Sequence, residues 1–426
     1  MNTKTRLPSW IDRQSLSWAF YDWANSAFTL VVITSFFPII YRDYWAAGET
    51  SANITFHLAT VNSLSSLVII FLAPLIGAYA DRKSVKKKLL GLFAYLAILL
   101  TVAMYWIGSG NWLLALALFF VGSISYMAAN VMNDSLLVDV STPKTVDMIS
   151  SLGFALGYVG SGAMFVFCYY MTQNPATFGF ADSNAAIQFS FILVAIWWAV
   201  FTLPVLLWVK EPKSDQPQEN LSFLETVKES FSTVINTGKE IGKHKSVMVF
   251  LLAYFLYIDG VDTIIRMAVD YGKALEFDTG SLLVALLMTQ FIAFPATLAF
   301  GWLAGKYGTR PMLLVGIGVY VIVIIWGSMI QSERGFMYIA LLIGLVQGGV
   351  QSLSRAMYTR LIPKEKATEF FGFYNIMGKS AVFLGPLLMG VVTKLTGSHR
   401  LGLLVLLVFF VAGAAVLMKV QLPDDE

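Results

Sequence analysis

Hydrophobic positions run in long, nearly uncharged stretches that are separated by short clusters of charged and turn-forming residues. A stretch of about 18 or more such residues can cross the ~30 Å hydrocarbon core of a bilayer as a helix. Strands of a membrane barrel would instead alternate over segments of about 10 residues. The pattern predicts an all-α membrane protein with twelve transmembrane helices, at residues 17–41, 56–80, 89–108, 112–140, 147–172, 186–209, 246–272, 279–305, 312–331, 335–361, 367–395 and 400–420.

Composition supports this class and excludes others. Hydrophobic residues make up 57% of the chain and charged residues 13%, about half of the ~25% that is typical of soluble proteins. The mean hydropathy is +0.70. A soluble enzyme is excluded, and an aromatic content of 14% excludes a disordered chain. The net charge of +3 is small, so we expect no nucleic acid partner.

Basic residues are distributed unequally between the two sides of the predicted bundle. Most of the 29 Lys and Arg residues fall in loops on the side of the N-terminus. The opposite loops hold Arg42, Lys273, Arg334, Lys394 and Arg400. Positively charged loops stay in the cytoplasm. We therefore predict a multi-pass protein of the bacterial inner (plasma) membrane with both termini cytoplasmic.

The longest polar stretch divides the chain into two halves. It predicts an N-terminal six-helix bundle at 1–209, a cytoplasmic linker at 210–245 and a C-terminal six-helix bundle at 246–426. Apolar residues recur at helical spacing within the linker, which predicts an amphipathic helix on the membrane surface; they are Leu224, Val227, Phe231 and Val234. The linker is interpreted as a tether, with a regulatory role as the alternative.

An internal repeat supports the two halves. Residues 77–87 and 301–311 place small and basic residues at a constant offset of 224, and Pro143 and Pro363 stand in equivalent loops. Two parallel repeats of six helices are typical of transporters whose site lies between the halves, near mid-membrane.

Several motifs carry a resemblance to a known family. The segment 77–87, a glycine followed by Asp-Arg and a basic cluster, resembles the loop 2–3 motif of the major facilitator superfamily. More specific strings, at 21–28, 259–264, 348–355 and 369–374, are similar to the family that contains the fungal vacuolar amino-acid effluxer of autophagy and its bacterial members. The resemblance implies the major facilitator fold and a transport role. Many superfamily members carry an arginine in the fourth span, which this chain lacks, so no proton relay through it is expected.

Ionisable residues inside the spans require an explanation, because a charge at the bilayer centre costs at least about 2.5 kcal/mol. The seventh span carries Asp259, Asp262, Arg266 and Asp270, whose spacing of three or four residues places them on one helical face. One interpretation is a self-neutralised ladder within the helix. The other is the wall of a water-filled cavity.

The resemblance implies that spans 1, 4, 7 and 10 line the cavity. Acids together with bases suit a zwitterion, since bases bind its carboxylate and acids its amine. The predicted substrate-binding residues are Asn25, Asn130, Asp259, Asp262, Gln290, Gln347, Gln351 and Lys379.

A second group of charged residues lies nearer the cytoplasmic ends of the spans. Asp22, Asp134 and Arg355 are each one to two turns from such an end, so they are predicted to form an inner layer. This layer is either a gate or a static salt bridge between the halves. The predicted gating residues are Asp81, Arg82, Asp134, Arg266 and Arg355, with Arg82 also explained by topology alone. Asp22 and Asp259 are the candidates for proton coupling, because desolvation favours the neutral carboxyl.

The sequence lacks the residues that nucleotide binding, catalysis or metal binding would require. There is no nucleotide-binding loop, and the three histidines are scattered, so we expect no catalytic residues, no metal and no cofactor. The predicted function is secondary transport of a small polar solute, an amino acid or another zwitterion, by alternating access with proton coupling. The alternatives are transport of an organic anion or a sugar-like solute, or a non-transporting sensor or intramembrane enzyme. The expected partners are the lipid bilayer, the solute and protons, and the chain is expected to act as a monomer.

Overall fold

The structure, a computed structural model, describes residues 11–49, 51–212, 236, 238–239, 241–242, 244–381 and 384–421. Over these residues the chain forms long helices with short connections, which we number in chain order. They are α1 (Arg13–Trp45), α2 (Ser51–Lys83), α3 (Lys86–Ala103), α4 (Trp112–Val140), α5 (Val146–Gln173), α6 (Ser183–Trp208), α7 (Lys245–Ala274), α8 (Thr279–Tyr307), α9 (Thr309–Gly327), α10 (Glu333–Leu361), α11 in two pieces (Ala367–Ala381 and Leu384–Thr396) and α12 (His399–Leu417).

The predicted twelve-helix architecture is confirmed. In the described part of the chain, eleven helices are long and apolar enough to cross a bilayer. The span predicted at 367–395 differs, because it consists of the two pieces of α11. Pro386 stands in the first turn of the second piece. A proline is tolerated there but would interrupt the hydrogen bonding of one continuous helix.

The first helix is irregular. Its first part, Arg13–Ala27, begins with a capping box in which Asp12 Oδ1 accepts from the backbone N–H of Ser15 at 2.7 Å. The rest alternates between π-helical and α-helical turns up to Trp45. The backbone of α1 therefore departs from a regular α-helix, and π-helical turns within helices are frequent at functional sites.

Buried apolar residues form two separate clusters. One contains residues between 18 and 209 together with Ala356, and the other contains residues between 241 and 420 together with Val138. Each six-helix bundle therefore has its own core. The bundle boundaries at 209/210 and 245/246 stay predictions. The amphipathic positions Leu224, Val227, Phe231 and Val234 lie outside the described residues.

The two bundles meet at one end of the molecule, where α2, α4, α8 and α10 finish and α5, α9 and α11 begin. We call it the closed end. A Cβ atom added at Gly77 in α2 would lie 2.7 Å from the Thr368 carbonyl oxygen of α11, and one at Gly301 in α8 would lie 2.6 Å from Ser151 Oγ of α5. These glycines occupy equivalent positions of the sequence repeat, so each repeat contributes one close approach. We call them the α2/α11 seam and the α5/α8 seam.

Candidate functional site

A buried ion cluster joins the bundles near the closed end. Arg355 of α10 contacts Asp22 of α1 at 3.1 Å and Asp134 of α4 at 3.0 Å. Its Nε donates to Ser150 Oγ of α5 at 3.0 Å, and its Nη2 donates to the Ser150 carbonyl at 3.0 Å. The Arg355 side chain is 5% exposed. We call Arg355, Asp22, Asp134 and Ser150 the Arg355 cluster.

Neighbouring side chains hold this cluster in place. The rings of Trp18 and Phe154 lie 4.8 Å and 4.4 Å from the guanidinium carbon, as in cation–π contacts. Asn133 Nδ2 donates to Asp22 Oδ1 at 3.3 Å. Gly153 leaves room for the Asp22 carboxylate, which a Cβ atom there would overlap. The cluster therefore depends on four helices from both bundles.

The depth of Asp22, Asp134 and Arg355 along their spans predicts one layer, and the structure brings the three side chains together. Ser150 is not among the predicted residues. The pair Ser150-Ser151 in the first turns of α5 was an available signal, because small polar residues permit close helix packing. Ser150 Oγ also donates to the Ser352 carbonyl at 2.8 Å, and the hydroxyls of Ser151 and Ser352 lie 3.1 Å apart.

Asp81 joins the bundles at the α2/α11 seam. Its Oδ1 accepts from Thr368 Oγ1 at 2.7 Å and its Oδ2 from the backbone N–H of Glu369 at 3.0 Å. Both donors lie in the first turn of α11, where unpaired N–H groups and the helix dipole favour an anion. Arg82, the neighbouring predicted gating residue, is half-buried.

A charge network inside the N-terminal bundle supports Asp81. Lys86 Nζ lies 3.3 Å from Asp81 and 3.5 Å from Asp139. Glu211 accepts from the backbone N–H groups of Lys86 at 2.8 Å and Lys87 at 3.2 Å, at the start of α3. Burial raises the pKa of the Glu211 carboxyl, and the two N–H donors oppose that rise.

A third contact, at the α5/α8 seam, was missed by sequence reasoning. Asp147 in the first turn of α5 pairs with Arg360 of α10 at 2.7 Å and accepts from Thr309 Oγ1 at 3.0 Å and 3.1 Å. Arg360 also donates to the Pro143 carbonyl at 2.7 Å. An acid in a first turn and a base at a cytoplasmic helix end are both common for other reasons, so neither residue gave a signal.

The predicted binding residues fall into separate groups in the middle parts of their helices. Asn25 Nδ2 donates to Asn130 Oδ1 at 2.5 Å within the N-terminal bundle. Tyr158 OH of α5 donates to Gln351 Oε1 of α10 at 3.0 Å, which links the bundles. Gln290 and Gln347 line a cavity of the C-terminal bundle.

That cavity holds about 830 Å³ of empty space, including its open mouth. All of its lining residues belong to helices of the C-terminal bundle or their connections. The polar groups that line it, apart from Tyr271, are two amides and two hydroxyls, those of Gln290, Gln347, Thr263 and Thr289. The remaining lining is almost entirely apolar. Among the lining residues, no member carries a carboxylate or an ammonium group.

Asp259 lies inside the C-terminal bundle and is fully buried. Its Oδ1 accepts from the backbone N–H of Gly385 at 3.0 Å, in the first turn of the second piece of α11. Its Oδ2 has no hydrogen-bond partner among the described residues. Asp259 thus caps one piece of α11 as Asp81 caps the other.

The remaining charged positions of α7 and α11 are less completely described. Asp262 is half-buried and takes part in a polar interaction, and Arg266 is exposed. The side chains of Asp270 and Lys379 lie outside the described residues, so the ladder and the binding role of Lys379 stay predictions.

Comparisons with known proteins agree over nearly the whole chain. A family model described as "Vacuole effluxer Atg22 like" matches residues 44–142 and 139–424. The uncharacterised MFS-type transporter YxiO of Bacillus subtilis (strain 168) is 38% identical over 408 residues, 95% of this chain and 94% of that protein. Autophagy-related protein 22 of Kluyveromyces lactis is 22% identical over 486 residues, 96% of this chain and 94% of that protein.

Solved structures show the same fold. The proton:xylose symporter XylE matches with a TM-score of 0.73 at 13% identity, over 96% of this chain and 95% of that chain. The transporter FucP in its outward conformation matches with a TM-score of 0.71 at 15% identity, over 97% and 100%. At these identities the likeness establishes the fold alone.

Proposed function

Because the chain belongs to the vacuole effluxer Atg22-like family of major facilitator superfamily transporters, we propose that it moves an amino acid or another small zwitterion by alternating access, coupled to protons. The observation that carries this proposal is the Arg355 cluster, which is buried and draws its charges from both bundles. A passage at the closed end requires these contacts to separate.

The cluster has the properties of a gate. A buried charge that loses its only counter-charge is costly, so charged groups of a buried cluster separate only when another group compensates them. Such a contact therefore has two distinct arrangements, closed and separated, and a ligand that binds one of them shifts the equilibrium. Cytoplasmic termini, as the distribution of basic residues predicts, place the closed end on the cytoplasmic side.

A zwitterion suits the exchange that opens this gate. Its carboxylate can replace Asp22 or Asp134 on the Arg355 guanidinium, and its amine can take the released aspartate. The solute then compensates for the ion pairs that separate. The amides of Asn25, Asn130, Gln347 and Gln351 supply neutral hydrogen bonds near mid-membrane.

Two carboxylates support proton coupling. Asp22 and Asp134 share the single guanidinium of Arg355, so a proton on Asp22 balances the charge of the cluster. Asp259 is fully buried without an ion pair to any described residue, and an uncompensated charge there is costly. We assign the transported proton to Asp22 and Asp259.

The proposed cellular location and topology follow from the relatives and from the distribution of basic residues. The YxiO relative belongs to a bacterium, which supports the plasma membrane as the location. The excess of basic residues on one side supports cytoplasmic termini. We propose that the chain acts there as a monomer, with lipid, solute and protons as its partners.

Transport in proteoliposomes tests the proposal. The purified protein is reconstituted with a pH-sensitive dye in the lumen, and single amino acids are added outside. We expect lumenal acidification that accompanies uptake of the transported amino acid and is absent from protein-free liposomes. Uptake that is indifferent to an imposed pH gradient would remove proton coupling, and absence of any amino-acid uptake would remove the zwitterion.

A second candidate is a sugar-like or organic-anion solute. It is favoured by the neutral amides and hydroxyls that line the C-terminal cavity. Thermal unfolding in detergent, measured with panels of zwitterions, sugars and organic anions, separates the candidates. Stabilisation by anions alone that disappears in Arg355→Ala would favour an anion, and stabilisation by sugars alone would favour a neutral solute.

A further inference from the structure

The two seams are related by the internal repeat, but their charged groups are placed differently. Gly77 and Gly301 occupy equivalent positions and make equivalent close approaches. Four residues after Gly77 stands Asp81, which binds the first turn of α11. Four residues after Gly301 stands Gly305, which has no side chain, so the second seam lacks the equivalent carboxylate.

Asp147 supplies a carboxylate to that second seam from the opposite helix. It lies in the first turn of α5, the helix equivalent to α11, and binds Thr309 of the C-terminal bundle. Both oxygens also accept from Arg360, at 2.9 Å and 2.7 Å. Arg360 Nη1 additionally contacts Thr309 Oγ1. Asp147 is 3% exposed and Arg360 12% exposed, so the pair is shielded from solvent.

We propose that Asp147, Arg360 and Thr309 form a second latch, which holds the α5/α8 seam closed and replaces the carboxylate that the repeat lacks at Gly305. The three residues are positioning residues: they set the equilibrium between the closed and the open arrangement without contacting the solute. The proposal rests on the alternating-access function proposed above.

The bidentate geometry explains why this latch acts as a switch. Two parallel N–H to oxygen bonds require the guanidinium and the carboxylate to be coplanar, so a small shift of α5 relative to α10 breaks both. The Pro143 carbonyl, which accepts from the same guanidinium, ties the connection between α4 and α5 to α10. Opening of the seam therefore releases three contacts together. They are Arg360 with Asp147, Arg360 with the Pro143 carbonyl, and Thr309 with Asp147.

Cysteine accessibility tests the latch. Ser352 is fully buried between Ser150 and Ser151, and the natural Cys168 is removed as Cys168→Ala. Ser352→Cys in this background reports opening of the closed end through its rate of reaction with a water-soluble thiol reagent. We expect Asp147→Asn and Arg360→Gln to raise that rate about tenfold or more, because loss of one partner frees the seam.

Matched variants separate the latch from general damage. Arg310 lies at the same end but binds the Val420 carbonyl within the C-terminal bundle, so Arg310→Gln should leave the labelling rate unchanged. Thr309→Val removes one donor without a charge and should raise the rate less than Arg360→Gln. Thermal unfolding of each variant in detergent confirms that it is folded.

The outcomes distinguish this inference from the proposed function. If Arg355→Gln raises the labelling rate but Asp147→Asn and Arg360→Gln do not, the latch is refuted and alternating access stands. If none of the three variants raises it, the closed end does not open and both proposals fail. If Arg310→Gln raises it as much as Arg360→Gln, the effect is not specific to the seam and the latch is refuted.

Discussion

At the scale of single residues, the role of each charged group inside this membrane protein follows from the groups that it contacts. Arg355 is surrounded by two carboxylates, a serine and two aromatic rings. One carboxylate oxygen of Asp259 accepts from a backbone N–H, and the other has no hydrogen-bond partner among the described residues. The first arrangement suits a contact that breaks and reforms, and the second suits a proton.

Removing Arg355 should cost far more than neutralising one of its acids. Arg355→Ala leaves two buried carboxylates uncompensated, so we expect a loss of about 3–5 kcal/mol in the free energy of unfolding. Asp134→Asn keeps a hydrogen-bond acceptor and leaves one acid for one base, so its cost should be within about 1 kcal/mol. Thermal unfolding in detergent measures both. Equal losses for the two variants would contradict the charge balance inferred for the cluster.

Replacing Asp259 by asparagine should uncouple transport from protons. The amide oxygen of Asp259→Asn still accepts from Gly385, so the fold is retained, but the side chain no longer exchanges a proton. Counterflow of labelled solute should continue near the parent rate while uptake driven by a pH gradient is lost. Asp278→Asn, at an exposed helix start, is the control. Persistence of gradient-driven uptake in Asp259→Asn would exclude this residue as the proton site.

At the scale of helices, glycines decide where the bundles touch. Gly77 and Gly301 bring helices of opposite bundles close enough for backbone contact, and aspartates stand beside both seams. The two pieces of α11 start at different carboxylates, Asp81 from the opposite bundle and Asp259 from its own. The break in α11 thus provides a second helix start that a continuous helix would lack.

Adding a methyl group at the α5/α8 seam should impair closure. Gly301→Ala places a Cβ atom against Ser151 and the Asp147 carbonyl, whereas Gly305→Ala meets nothing within 4 Å. Alanine favours a helix over glycine by roughly 1 kcal/mol, so Gly305→Ala should retain transport and stability. Gly301→Ala should lower the initial rate of solute uptake several-fold. Equal uptake by the two variants would show that the seam tolerates the extra atom.

At the scale of the whole molecule, two independently packed bundles are joined by polar contacts at the closed end. Each core is apolar and belongs almost entirely to one bundle. The Arg355 cluster, Asp81 and the serines of α5 instead cross between bundles. Packed cores move as rigid bodies, so polar contacts between them are the natural place for a reversible separation.

A disulfide across this interface should stop transport. The hydroxyls of Ser151 and Ser352 are 3.1 Å apart, so Ser151→Cys with Ser352→Cys, in a Cys168→Ala background, can form a bond that holds the bundles together. Oxidation should abolish solute uptake, and a reducing agent should restore it. Each single cysteine variant serves as the control and should be insensitive to oxidant. Full uptake by the oxidised, cross-linked protein would contradict rocking of the bundles.

The sequence by itself determined the membrane class, the helix count and the resemblance to its family. These features follow from local properties, because apolar stretches of sufficient length must form helices in a bilayer, whatever lies beside them. The inner layer of Asp22, Asp134 and Arg355 was also predictable, since helix rise converts position along a span into depth. The interruption of α11 was indicated by Pro386 but was not predicted.

Only the tertiary structure decided which residues at the same level along different helices come into contact. Asp147 and Arg360 stand 213 positions apart along the chain, and each has an ordinary local explanation, so no pattern within one helix links them. The same holds for Ser150, and for Asp259, whose partner at Gly385 lies in another helix. Lateral neighbours depend on how helices rotate and pack, which is set by contacts over the whole bundle and not by the period of any single span.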